Sequence, residues 1–336
     1  MQMKSALPAV VAAALIACNS ATLVEPVTSF AQFEARLETL RADSHISAIS
    51  VAIARDQSIV YSRGFGLADI GEQRLATAAT VYHLASLTKP FASVVIMQLV
   101  EEGRVSLDDV VSKYGINLPS SGVIRVRHLL SHTSEGSPGT SYSYNGDRFS
   151  LLDSVIARAT GQTFAQAVQT RVIARIGLEH TAPGSQMGMA RGYTWKDGKQ
   201  VPTSYPSMFS TAAGLTGSAV DYARFSIAMD RDALLAPATK AVAYAPAVLA
   251  GGVVSPYALG WFSTEYKGVR VIWHYGYWIA NSSLVIKIPS RGLTYVVLSN
   301  SDQLSARYPL ASGNLEQSPW AAAFLDAFIS GDVPLP

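Results

Sequence analysis

The run Tyr82-His83-Leu84-Ala85-Ser86-Leu87-Thr88-Lys89, continued by the apolar residues Phe91, Val94, Val95, Ile96, Leu99 and Val100, organises the reading of this chain. The pattern predicts a helix from Ser86 to Glu102, ended by Gly103, so Ser86 and Lys89 share one helical face. Ser86 then lies at the positive end of the helix dipole, where a developing alkoxide or oxyanion is favoured. Lys89 opens an apolar helix, and an ammonium removed from water there loses hydration, so its pKa falls. A fall of about 3 units from 10.4 leaves a usable neutral amine near pH 7. The pattern S-x-x-K is short enough to arise by chance, and this is its only occurrence in the chain. The bland alternative is a serine cap followed by a lysine that snorkels to the surface.

Outward from this run the periodicity changes. Upstream, Phe30, Phe33, Leu37 and Leu40 share a helical face behind a Thr28 or Ser29 cap, and Ile49, Val51 and Ile53 alternate before a turn at Asp56-Gln57. Downstream, helical patterns occupy Arg125–Ser131, Phe149–Ala159 (stopped by Gly161), Phe164–Arg175 and Ser218–Met229. The last of these opens with Ser218 and Asp221 at the spacing of a capping box. After about residue 255 strands return at Ala258–Ser263, Val269–Trp273, Ser282–Ile288 and Thr294–Asn300, and Ser318-Pro319 opens a final helix to Phe328. Sequential strands with short turns predict an antiparallel sheet rather than a series of parallel crossovers. The two strand groups then form one sheet flanked by helices, an α+β fold with an inserted all-helical lobe. The expected division is a discontinuous sheet lobe, 28–80 with 251–336, and a helical lobe, 81–250, with a site in the cleft between them.

Composition narrows the function. Of 336 residues 49% are hydrophobic and 15% charged, which excludes a disordered chain. The net charge of +2 argues against nucleic acid as a partner. Cys18 is the single cysteine, so an internal disulfide and cysteine-based zinc or redox sites are excluded. The chain has no G-x-S-x-G, no H-E-x-x-H and no G-x-x-x-x-G-K-[ST], and Gly64-Phe65-Gly66 meets Asp69 where a dinucleotide fingerprint needs glycine.

Residues 1–24 read as an address. Lys4 is the only charged side chain before Glu25, and Ala6–Ala17 is an apolar run too short to span a bilayer but suited to a signal peptide. Leu15-Ile16-Ala17-Cys18 resembles a bacterial lipoprotein cleavage box. That likeness implies a signal peptide over 1–17, a lipidated Cys18 and a tether over 18–27. The signal peptide implies an exported, periplasmic protein, and by resemblance to sorting rules in Gram-negative bacteria Asn19 in place of Asp implies an anchor in the outer rather than the inner membrane.

The Ser86 region, continuing through Met97-Gln98-Leu99-Val100-Glu101-Glu102-Gly103 and Leu107-Asp108-Asp109, resembles the first motif of the serine β-lactamase-related family. That family includes class C β-lactamases, D-amino-acid peptidases and family VIII carboxylesterases. Arg127-His128-Leu129-Leu130-Ser131-His132-Thr133-Ser134, Ala213-Gly214-Leu215, Asp221-Tyr222-Ala223-Arg224-Phe225 and Tyr257-Ala258-Leu259-Gly260-Trp261 continue the likeness in the family's order, over about residues 30–328. The resemblance implies a β-lactamase/transpeptidase-like fold and a Ser86 acyl-enzyme. Its Y-x-N motif falls on Tyr144-Asn145-Gly146, with Gly146 where Asn is usual, Asn145 beside it, and Tyr142 as the alternative if the register slips by two. There the resemblance implies a phenol hydrogen-bonded to Lys89, expected to relay a proton from Ser86 to the leaving group. Its K-T-G or H-T-G motif falls on His274-Tyr275-Gly276. Gly276 is expected to let a substrate backbone approach, and the Tyr277 and Ser86 amides to form an oxyanion hole. His274, in place of a permanent cation, is expected to be near half-charged. Trp273, Tyr275, Tyr277 and Trp278 suggest an aromatic wall, while His128 and His132 read as architectural. The implied substrate is a small-molecule or cell-wall-related compound, cleaved by a monomer that needs no metal and no organic cofactor. Esters or D-amino-acid amides rank before β-lactams, and a non-turnover penicillin- or peptidoglycan-binding protein is the alternative outside enzymes.

Overall fold

Strand β1 (Ala48–Arg55) is buried on both faces, and its sequence sorts by size. Ala48, Ala52 and Ala54 point to one side, Ile49, Val51 and Ile53 to the other. The small residues admit helix α7 (Ala219–Asp230) close against the strand. The large ones pack under α1 (Phe30–Asp43) and α9 (Pro319–Leu325), against Phe33, Leu37, Trp320 and Phe324. The structure is a computed structural model, and it describes residues 27–205, 207–331 and 333–336. The signal peptide of 1–17, Cys18 and all of the tether but Val27 lie outside the described residues. Among those described, no helix is long and apolar enough to cross a membrane.

The sheet joins both ends of the chain. β1 is followed by β2 (Ser58–Asp69) and the short β3 (Arg74–Leu75). The C-terminal strands are β9 (Phe262–Tyr266), β10 (Val269–Trp278), β11 (Asn281–Ile288) and β12 (Leu293–Ser299). The order is β3-β2-β1-β12-β11-β10-β9, antiparallel throughout, with Val51 opposite Val297 at the junction of the two groups. Helices cover both faces, so the sheet is the middle of three layers.

The regular structure between β3 and β9 is mainly helical. It contains α2 (Thr88–Glu101), α3 (Val126–Leu130), α4 (Gly146–Ser150), α5 (Leu152–Thr160), α6 (Phe164–Val168), α7 and α8 (Pro237–Tyr244). It also carries two small sheets. One is built from β4 (Tyr82–His83), β5 (Ala182–Pro183) and β8 (Leu215–Gly217), the other from β6 (Tyr193–Lys196) and β7 (Lys199–Pro202). The two-residue strands β4 and β5 are too short for a periodic signal in the sequence. β4 sets the entry to Ser86.

Other boundaries shift for local reasons. The expected strand Ala258–Ser263 begins only at Phe262, because Ala258–Trp261 is a buried turn in which the Ala258 amide donates to the Trp261 carbonyl at 2.7 Å. Gly260 has φ +86°, and a Cβ there would stand 2.5 Å from Ser93 Cβ on α2. Ser218 caps α7 through the Asp221 amide, but no reciprocal capping box forms. The Asp221 carboxylate instead accepts from the His180 amide at 2.7 Å and from Thr181 at 3.1 Å, tying α7 to the segment before β5.

Candidate active site

From Tyr82 to Leu99 every residue is buried except Ser86. The expected helix from Ser86 is a single 3-10 turn, Ala85–Leu87, followed by α2. Ala85 has φ +48°, a left-handed backbone that costs an alanine of order 1–3 kcal/mol and needs outside support. The support is visible. The Ala85 amide donates to His83 Nδ1 at 3.1 Å, and Thr88 Oγ1 donates to the Ala85 carbonyl at 2.7 Å. On the sheet side Ser283 Oγ donates to the Leu84 carbonyl at 3.1 Å. On the other side the Leu84 amide donates to the Leu215 carbonyl of β8 at 2.8 Å. Thus β4, β8 and β11 clamp the turn and lift one hydroxyl out of an otherwise closed surface.

Lys89 is 1% exposed, and its amine donates to Ser86 Oγ at 2.7 Å and to the Ala212 carbonyl at 2.9 Å. The Ala212 segment is anchored by the Thr211 amide on Asp153 of α5 and by Thr211 Oγ1 on the Phe149 carbonyl of α4. Loss of hydration holds the Lys89 amine down to about 7. A snorkelling lysine is excluded by this burial.

Tyr144 and Tyr142 separate clearly. The Tyr142 hydroxyl donates to the Ala311 carbonyl at 2.7 Å, outside the Ser86 group. Tyr144 has its ring 5.0 Å from Lys89 Nζ, and its hydroxyl is buried without a hydrogen-bond partner among the described residues. Burial pushes that phenol well above its ordinary range, Tyr275 acts in the same direction, and the contact with Ser86 acts against them. The expected Tyr144–Lys89 hydrogen bond is absent here, because the amine lies over the face of the ring and spends its donors on Ser86 and Ala212. A phenol that stays protonated is a proton donor in waiting. Tyr144→Phe is therefore expected to lower kcat on the order of 10²–10⁴-fold, the usual scale of general acid–base catalysis, while Tyr142→Phe leaves it near wild type. Ester hydrolysis by the two purified variants checks this pair.

Asn145 is not free for a substrate. Its Oδ1 caps α4 by accepting from the Arg148 amide at 3.0 Å, and its Nδ2 donates to Glu135. Nothing stands within 4 Å of where a Gly146 Cβ would be, so the space of the usual motif side chain is open.

His274-Tyr275-Gly276 lies on β10, at its free end. β9 pairs with β10 only from Val269 to Trp273, so residues beyond Trp273 form an open edge. The hairpin closes with Trp278 opposite Asn281. Alternation of the ladder then turns the amides of Gly276 and His274 toward β11 and those of Tyr277 and Tyr275 toward that open edge. The Tyr277 amide is thus available as a donor beside the Ser86 turn.

The motif's side chains face inward, which corrects three expectations. His274 is fully buried and neutral rather than half-charged: burial, and then the Lys89 charge, hold it well below its ordinary range. Both its nitrogens are taken, Nδ1 by the Tyr275 carbonyl at 2.7 Å and Nε2 by the Tyr257 hydroxyl at 2.8 Å. With Nδ1 donating, Nε2 accepts from Tyr257, and no nitrogen is left for a substrate carboxylate. Gly276 serves the protein itself, since a Cβ there would lie 2.5 Å from the Leu84 carbonyl and 2.2 Å from Ser283 Oγ. Gly276→Ala should cost roughly 1–3 kcal/mol as an overpacked site and displace the Ser86 turn, seen as a lower Tm together with lost ester hydrolysis. Of the aromatic wall, Trp273 is core, stacked on Phe262 at 4.1 Å. Tyr275 is 9% exposed behind Tyr144, and Tyr277 is 49% exposed at the rim.

Nothing in the sequence marks Tyr257, Ala212 and the strained Ala85 as site residues. An alanine carbonyl and an alanine dihedral leave no residue-type signal, and Tyr257 reads as one more core aromatic.

A match to the family model described as Beta-lactamase runs over residues 33–315. Among curated proteins, penicillin-binding protein 4* of Bacillus subtilis is 26% identical over 309 residues, covering 76% of this chain and 68% of that protein. Among solved structures, the octameric penicillin-binding protein homologue from Pyrococcus abyssi superposes with a TM-score of 0.78 at 22% identity, covering 88% of this chain and 77% of that one. EstCE1, described as a hydrolase with promiscuous acyltransferase activity, gives a TM-score of 0.71 at 19% identity, covering 86% and 98%. The fold is thus that of penicillin-binding proteins and serine β-lactamases. The chain belongs to the Beta-lactamase family, a family of serine hydrolases.

Proposed function

We propose that the chain hydrolyses small acyl compounds through a Ser86 acyl-enzyme, esters or D-amino-acid amides before β-lactams. The observation that carries this is the buried Lys89 amine 2.7 Å from Ser86 Oγ, held down to about 7. Near neutral pH about half of such amines are unprotonated. Lys89 takes the Ser86 proton as Oγ bonds to the substrate carbonyl carbon. The carbonyl oxygen becomes an oxyanion held by the amides of Ser86 and Tyr277, a kind of donor whose loss typically costs about 2.7–4 kcal/mol in the transition state. Tyr144 protonates the leaving oxygen or nitrogen as its bond to carbon breaks, and recovers a proton from Lys89. Water then attacks the acyl-enzyme by the reverse use of the same groups, and Ser86 is released.

The ranking of substrates rests on the motif's interior. A β-lactam antibiotic brings a carboxylate, and His274 is neutral with both nitrogens engaged. Asn145 is committed to Arg148 and Glu135, which removes an amide that would orient a lactam or amide carbonyl and so favours esters within the first-ranked pair.

Intact-mass measurement after treatment with a fluorophosphonate and with penicillin, beside steady-state cleavage of a short-chain nitrophenyl ester, a D-alanyl anilide and a chromogenic cephalosporin, tests the reading. Acylation with ester turnover is expected. Acylation without turnover of any of the three supports a penicillin-binding role instead. No adduct in a folded protein overturns both.

A further inference from the structure

His132 does more than fill space. It follows α3 in a left-handed conformation, φ +55°, and is 1% exposed. Its carbonyl accepts the Ser143 amide at 2.9 Å, and its Nδ1 accepts the Asn145 amide at 3.1 Å. These two amides bracket Tyr144. The imidazole also lies on the phenol, with ring centroids 4.3 Å apart and planes at 37°. One residue therefore pins the backbone on both sides of Tyr144 and the ring between them.

We propose that His132 is a positioning residue for proton transfer, holding the Tyr144 hydroxyl over Ser86. This rests on the acyl-enzyme reading above. The chemistry of the position explains the residue type. The backbone demands a side chain tolerant of positive φ, which histidine and asparagine are and β-branched residues are not. The Asn145 amide demands an acceptor one bond beyond Cγ, which imidazole Nδ1 supplies. The phenol 4.3 Å away, tilted at 37°, is packed by a flat ring. Histidine satisfies all three, provided it stays neutral, because a protonated Nδ1 donates and cannot accept. The groups that face it are Lys89 on α2, His274 on β10, and Tyr142, Tyr144 and Tyr257; the charge on Lys89 and the burial both favour the neutral ring. With Nδ1 accepting, the proton sits on Nε2.

The sign of the contribution follows. His132 acts by geometry and not by titration, so its loss should lower kcat, leave KM alone, and leave the pH dependence as Lys89 sets it. Three variants separate the contacts. His132→Asn keeps the backbone conformation and an acceptor for Asn145 but loses the ring. His132→Phe keeps the ring and loses the acceptor. His132→Ala loses both. Steady-state hydrolysis of a nitrophenyl ester across pH 5–9, with Tm for each protein, is the experiment. The expected result is a kcat lowered about 30–100-fold in the Phe and Ala variants and about 3–10-fold in the Asn variant, all with KM and the neutral-pH inflection unchanged, on the scale of misplacing a catalytic group by about an ångström.

Wild-type kcat in the Phe variant overturns the proposal. So does equal loss of kcat, KM and Tm in all three with no recovery in Asn, which marks a purely structural residue. A shifted or vanished inflection in the Asn variant overturns it too, because His132 would then be titrating. Should the Phe and Ala proteins fail to fold, the Asn variant decides alone, and an unchanged kcat there is the adverse result. Ser86→Ala runs alongside. Turnover near the wild-type rate in that protein overturns the acyl-enzyme reading and this proposal with it, whereas a Ser86→Ala protein reduced to residual rates beside an unaffected His132→Phe overturns this proposal alone.

Discussion

Ser86→Ala will remove hydrolysis, with kcat/KM falling roughly 10⁴-fold or more, the scale on which loss of a nucleophile is felt. The fold should persist. Ser86 is the one open residue in a buried run, and the substitution deletes an oxygen without disturbing the clamped turn. Lys89 keeps its second acceptor, the Ala212 carbonyl. The comparison of interest is therefore between two proteins of similar Tm, one of which no longer gains mass from a fluorophosphonate. Residual rates well above solution hydrolysis are expected from binding and the oxyanion donors alone. A variant that still turns over ester at the wild-type rate would mean that another hydroxyl performs the attack.

The second large effect concerns the base. Lys89→Met should lower kcat/KM on the order of 10²–10⁴-fold and abolish its dependence on pH near neutrality. The sign follows from the direction of the shift. Burial lowers the amine from its ordinary value of 10.5 to about 7. Below that pH the group is an ammonium with no lone pair, so wild-type kcat/KM should rise tenfold per pH unit and level off above about 7. The Tyr144 phenol is pushed well above its ordinary range and stays protonated across the plateau, so no alkaline fall from it is expected below pH 10. Lys89→Arg should be as inactive as the Met variant, because a guanidinium keeps its proton at any pH used. A flat profile in the wild-type protein, or a preserved inflection in Lys89→Met, would assign the titration elsewhere.

Alternation along the chain marks the two groups of sheet strands but not their ends. The expected Val269–Trp273 runs on to Trp278, through the residues that flank Ser86. Alternation weakens there because the strand is buried unevenly, with His274 inside and Tyr277 at the rim. The expected helix from Ser86 hides a 3-10 turn because Ala85, Ser86 and Leu87 have ordinary helical propensity. Its left-handed entry is imposed by β4, β8 and β11, which come from three separate parts of the chain.

Local chemistry in the chain was enough to name an oxygen and an amine three residues apart, to bury the amine in an apolar helix, and to direct two strand groups into one antiparallel sheet. Those features depend on spacing and on the order of apolar residues, and both are written along the chain. What Tyr144, His274, Gly276 and Asn145 do was not written there. Their roles depend on which donor or acceptor stands opposite, and those partners lie far off in sequence: Tyr257 against His274, Leu84 against Gly276, Lys89 beneath Tyr144. A hydrogen bond is a property of two positions in space, so whether a histidine is a free cation or a sealed neutral ring is decided only when the sheet closes over it.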